Sequence, residues 1–129
     1  MEEITQYNLI NLIKEKFPKF ILYWEIYVNK WGSDMGLGND LGPFFDYVVN
    51  EIKSENYNEI EKIFKFVEFL MCNGDELVQT VIATCFLEDL LNKDPDEIQF
   101  IKFSKYLGKN SIDHLRAWNE FQGTYTEGL

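Results

Sequence analysis

The chain is poor in the residues that most often carry chemistry. It has one histidine and two cysteines in 129 residues. A zinc site draws on several His or Cys side chains at short spacing, and none is arranged that way here. Any imidazole mechanism must use His114. Its neighbours Ser111 and Asp113 read better as a helix cap and a first-turn acid than as catalytic partners. The di-iron arrangement needs Glu-x-x-His on facing helices, and the sequence contains no such motif. The run Gly36-Leu37-Gly38-Asn39-Asp40-Leu41-Gly42 approaches the dinucleotide fingerprint but has one residue too many and follows a helix rather than a strand. Asp34, Asn39 and Asp40 in the same stretch lack the alternating ligands and distal glutamate of a calcium loop. The sequence therefore predicts no enzyme, no metal and no cofactor.

Other absences bear on organisation and setting. No Pro-, Gly- or Ser-rich linker divides the chain, so residues 1–129 are expected to form one domain. No window offers 18 uninterrupted apolar residues, and the start MEEITQYNLI lacks a cationic leader, so neither a membrane span nor a secretory signal is expected. Cys72 and Cys85 sit in apolar helical patterns and read as small core residues in a reducing cytoplasm, although one pair can in principle bridge.

Bases are scarce as well. Twenty-two Asp and Glu face twelve Lys and Arg, for a formal charge of −10. Phosphate binding needs clustered Lys and Arg, so this balance argues against a nucleic-acid surface and against docking on anionic lipid. The charge is not a tail: residues 1–64 and 65–129 each carry eleven acids and six bases, or −5 apiece. It reads as a solvated surface or as complementarity to a basic partner.

What is abundant is helical periodicity and aromatic side chains, the latter at 16%. Apolar spacing predicts seven helices joined mostly by short turns, an all-α single-domain bundle with antiparallel, helical-repeat-like packing. The first runs from Ile4 to the Phe17–Pro18 step and the second from Lys19 to Trp31, stopped by Gly32. Pro43 opens the third, and Asn58 with Glu61 offers a cap for the fourth. The fifth, Leu77 to Leu91, is apolar around most of its circumference and is expected at the centre. Asp94-Pro95-Asp96-Glu97 starts a sixth, ending near Leu107, and Ser111 caps the seventh. An edge strand over QFIKFSKY (99–106) is the weaker reading of that stretch.

Two features point to partner binding. Tyr23, Trp24, Tyr27 and Trp31 share one helix, and the aromatics of the second and fourth helices exceed what one face can bury. Tyr and Trp left at the surface beside acids act as binding anchors. Glu88 and Asp89 interrupt the most apolar helix, either as its narrow solvent face with Thr84 or as part of a binding surface.

The segments GDELVQTVIATCFLEDLLN (74–92) and YLGKNSIDHLRAWNEF (106–121) resemble a group of small, acidic, helical bacterial proteins. These share a D-E-x-V-x-x-x-I-x-x-x-F-L-E-x-L helix and a late L-G step, and the likeness extends more weakly to FPKFILYWEIYV (17–28) and LGPFFDYVVNEI (41–52). That group is similar to immunity proteins encoded beside polymorphic or contact-dependent toxins. The resemblance implies a cytoplasmic, stoichiometric inhibitor of a cognate toxin domain, of a kind often nucleolytic and basic, with no catalytic residues to carry over. The candidate contacts are Asp34, Asp40, Glu88 and Asp89, with Tyr27 and Trp31 as anchors. A helical adaptor for another protein partner is the alternative, and monomer and homodimer both remain open.

Overall fold

The computed structural model describes residues 3–129; Met1 and Glu2, within the expected domain and the MEEITQYNLI start, lie outside the described residues. The fold is all-α. Its helices are α1 (Leu9–Lys16), α2 (Phe20–Trp31), a short α3 (Leu37–Asp40), α4 (Gly42–Lys53), α5 (Tyr57–Asn73), α6 (Glu76–Val81), α7 (Glu88–Leu91) and α8 (Lys109–Gln122). A π-helical segment, Ile82–Leu87, joins α6 to α7, so Glu76 to Leu91 is one continuous rod. Among the described residues no strand forms, and the one β-bridge pairs Ile4 with Gly74.

Several boundaries follow the local chemistry directly. Phe17 ends α1 before Pro18, Gly32 ends α2 at φ 83°, and Pro43 occupies the first turn of α4. Asp75 caps α6, its carboxylate accepting from the Val78 N–H at 2.8 Å. Gly74 before it has no room for a side chain: a Cβ there would lie 2.6 Å from Val78 Cγ1 and 2.8 Å from the Leu70 carbonyl oxygen.

The rod is central, as its all-round apolar character predicts. Ile82, Phe86 and Leu87 are fully buried, and the rod packs against α5 and α8. Phe86 also stacks on Phe44 of α4 at 5.3 Å between centroids and meets Phe45 edge-on at 6.2 Å. Phe17 bridges α1 to α5 by an edge contact with Phe66 at 5.4 Å. The π segment contains neither proline nor glycine, so no helix breaker accounts for its wider turn. The Thr84 hydroxyl donates to the Thr80 carbonyl at 2.8 Å, a local bond that competes with the backbone ladder at the same place.

The expected sixth helix over 95–107 does not form. Asp94 Oδ1 accepts from the Asp96 N–H at 2.9 Å, and the chain then makes two single 3₁₀ turns, Phe100–Lys102 and Ser104–Tyr106. The reason is burial. Ile98, Phe100 and Phe103 are all buried, yet 98 and 100 lie about 200° apart on an α-helix. Breaking the helix lets all three point inward, where Phe103 stacks on Phe64 at 5.5 Å and Phe100 packs on Phe103 at 5.1 Å.

Three smaller expectations are also revised. The residue that precedes α5 is Asn56, not Asn58, and no side chain caps that end. Cys72 is exposed rather than core, its sulfur accepting from Asn110 Nδ2 at 3.2 Å, while Cys85 is half-buried; both are free thiols. Ser111 is a buried residue inside the first turn of α8 rather than its cap, and the capping group comes from another helix. Glu68 of α5 accepts from the Asn110 and Ser111 N–H groups at 2.8 and 3.0 Å, and from the Asn110 amide and Ser111 hydroxyl at 2.8 and 2.9 Å. Gly108 is needed here because a Cβ would strike the Glu68 side chain.

Candidate interaction face

Helix α2 has an unusual relation to the core. Its sequence, FILYWEIYVNKW, is dominated by apolar residues, yet Phe20 alone is buried. Leu22 and Ile26 are each 61% exposed, Trp31 is 56% exposed, and Met35 just beyond the helix is 43% exposed. A helix this apolar normally turns its rich side inward. Here the inner side is occupied by Phe20, packed edge-on to Phe44 at 6.0 Å, and by Tyr23 against Tyr47 at 5.9 Å. The surplus remains outside.

Two adjoining clefts extend this face across the glycine loop. One lies between α2 and the start of α4, with Ile26, Tyr27, Trp31 and Pro43 in its walls. The other lies between the loop, α4 and the rod, lined by Met35, Gly38, Phe45, Cys85 and Asp89. Gly42 and Asp46 belong to both, so the surface is continuous from Trp31 to Asp89.

Tyr27 and Asp40, two of the residues singled out by sequence, meet directly: the Tyr27 hydroxyl donates to Asp40 Oδ1 at 2.7 Å. Burial, together with this bond and the nearby carboxylate, pushes the Tyr27 phenol up to about 12. It therefore stays a neutral donor and braces α2 against α3, holding the loop in place. Trp31 lies exposed with the Lys30 ammonium 5.2 Å from its ring centroid. Asp34 is exposed on the loop but lines neither cleft.

Asp89 and Glu88 part company. Asp89 is exposed in the second cleft, and Thr84 is exposed one turn away. Glu88 is buried, and its Oε2 lies 2.7 Å from His114 Nε2 on α8. Glu88 thus belongs to the joint between rod and α8, and not to the solvent face or the binding surface that the sequence offered as its two readings. His114 is the partner that accounts for it.

Asp46 is a member of the face that sequence reasoning missed. The available signal was an acid interrupting the apolar run FFDYVV of α4. Burial raises the carboxyl of Asp46 above the ordinary range, with Lys93 partly offsetting it. Burial also raises Asp89, and the neighbouring Glu88 adds to the effect. Both side chains are nevertheless exposed in the cleft wall, so neighbouring atoms remove only part of their solvent.

Among the described residues no group of three or more His, Cys, Asp or Glu side chains is placed to hold a metal ion, and no helix is long and apolar enough to cross a membrane. A family model described as a domain of unknown function, DUF7674, matches residues 10–123, and the chain belongs to that family. No match was found among curated proteins or among solved structures.

Proposed function

We propose that the chain is a non-enzymatic immunity protein that binds a cognate bacterial toxin domain and neutralises it by stoichiometric occlusion in the cytoplasm. The observation that carries this reading is the cleft between α2 and α4, where Ile26 and Trp31 lie exposed in one wall and Asp46 joins it to the glycine loop. Exposed apolar groups rimmed by polar and charged residues mark a protein-binding surface, and here Lys30 joins the acids on the rim. Ile26 and Trp31 are the anchors, and Asp34, Asp46 and Asp89 supply the acidic surround. Tyr27 and Asp40 act by bracing the loop, and Glu88 takes no part in contact.

The partner chemistry follows from charge. A domain of −10 is steered toward a cationic surface, and a nuclease's phosphate-binding cleft is one. The same charge disfavours nucleic acid and anionic membrane as partners. A helical adaptor would use this face in the same way, with a cationic partner that is not a toxin.

Co-expression with the domain encoded immediately upstream tests the reading. The expected result is a 1:1 complex and restored growth of cells that the upstream domain alone arrests. The association rate should fall as salt rises through about 0.01 to 0.15 M, where screening shortens to molecular dimensions. No complex, or growth arrest that the chain does not relieve, would overturn the immunity reading. A complex with an upstream protein that is harmless alone would favour the adaptor.

A further inference from the structure

One groove on this acidic chain is lined by lysines and by no acid. It runs along the seam between α1 and α5, rimmed by Lys16, Lys62 and Lys65 and floored by Phe17, Phe66 and Phe69. It shares no lining residue with the acidic face. Three of the twelve bases of the chain therefore converge on one groove of a domain with 22 acids. All three lysines are exposed. Lys65 pairs with Glu61 on its own helix at 3.3 Å, a solvent-exposed contact that is worth little and is readily exchanged. Lys16 and Lys62 form no ion pair among the described residues, and the Lys16 ammonium lies 5.9 Å from the Phe66 ring centroid.

We infer that this groove is a second docking site, for an acidic peptide segment that carries one apolar anchor. The size of the floor and the spread of the charges select that occupant. Phe17 and Phe66 are only 2% and 5% exposed whereas Phe69 is half-buried, so the Phe69 ring is the accessible part of the aromatic floor, a place for one apolar side chain. The lysines come from two helices and stand around that point, which suits carboxylates on either side of an anchor. A fatty chain needs an enclosed channel, whereas this groove lies open along the helices. The site does not depend on what the α2 face binds, and it would let one small domain engage surfaces of opposite charge.

The test is fluorescence anisotropy on the whole protein with a short fluorescein-labelled probe, glutamates flanking one leucine. Saturable 1:1 binding is expected, weakened by salt. Lys16→Glu/Lys62→Glu should weaken it about tenfold or more with an unchanged Tm, because both side chains are exposed. Exchanging the probe's leucine for serine should also weaken it. Equal affinity for the double variant, or for the leucine-free probe, would overturn the assignment. So would displacement of the probe by decanoate at lower concentration than by unlabelled peptide, which would make the groove a fatty-carboxylate site. Self-association that the double variant abolishes would overturn it as well, by making a second copy the occupant.

Discussion

Phe86→Ala is expected to cost about 3–5 kcal/mol in urea denaturation, a large share of the stability of an ordinary domain. Phe86 is fully buried where α4 meets the rod, stacked on Phe44 and edge-on to Phe45. Removing its ring leaves a cavity that the π segment has little freedom to fill, because Ile82 and Leu87 beside it are also fully buried. Leu87→Ala should cost about 2–5 kcal/mol by the same reasoning. Leu77→Ala is the control. That residue begins the same rod but is 42% exposed, and the loss should stay near 0.5 kcal/mol or so. A loss below about 1 kcal/mol for Phe86→Ala would contradict the central position of the rod.

The second large effect is expected at Glu68. One carboxylate satisfies two backbone donors and two side chains at the start of α8. Glu68→Ala removes a helix cap and strands the buried Ser111 hydroxyl, for a combined loss of about 2–3 kcal/mol. Burial by itself would raise the Glu68 carboxyl, but the four hydrogen bonds from Asn110 and Ser111 outweigh it and hold it below the ordinary value of 4.5. A carboxyl depressed in the folded state stabilises fully above its unfolded value. That stability is lost as the pH falls from about 4.5 through the folded value. Glu68→Gln keeps one acceptor oxygen and removes the titration. It should cost less than alanine and abolish this part of the acid sensitivity, read as urea midpoints compared between pH 7 and pH 4. Asp46 and Asp89 work in the opposite sense. Their raised folded values make protonation favour the native state, so Asp46→Asn and Asp89→Asn should not weaken the fold at pH 7.

Much of this architecture was legible because it depends on local signals. Pro18, Gly32 and Pro43 each punctuate the chain where sequence reading placed a boundary. The all-round apolar rod announced its central place in the same way. What failed depends on contacts between segments distant in sequence. The 95–107 stretch has a strong helix start, yet three buried side chains on different sides of an α-helix force it into turns. Glu88 looked like a solvent-facing acid because its partner His114 lies in another helix. Ser111 looked like a cap because the real capping group, Glu68, is more than forty positions away. The acidic-aromatic face was legible in part. The Tyr27–Trp31 stripe and the loop acids were visible, but the pairing of Tyr27 with Asp40 and the inclusion of Asp46 required the fold.

The α2 face is the proposed surface for a cationic partner. The direct measurement is calorimetric titration of the upstream-encoded domain with Ile26→Glu/Trp31→Ala, beside the wild type and Lys16→Glu/Lys62→Glu. Ile26 and Trp31 are exposed, so the first variant should keep its Tm and lose affinity by about 100-fold or more, as expected when two anchors are removed. The lysine variant, which keeps this face and adds negative charge, should bind at least as tightly as the wild type. Unchanged affinity for Ile26→Glu/Trp31→Ala in a folded protein would contradict the assignment of the face.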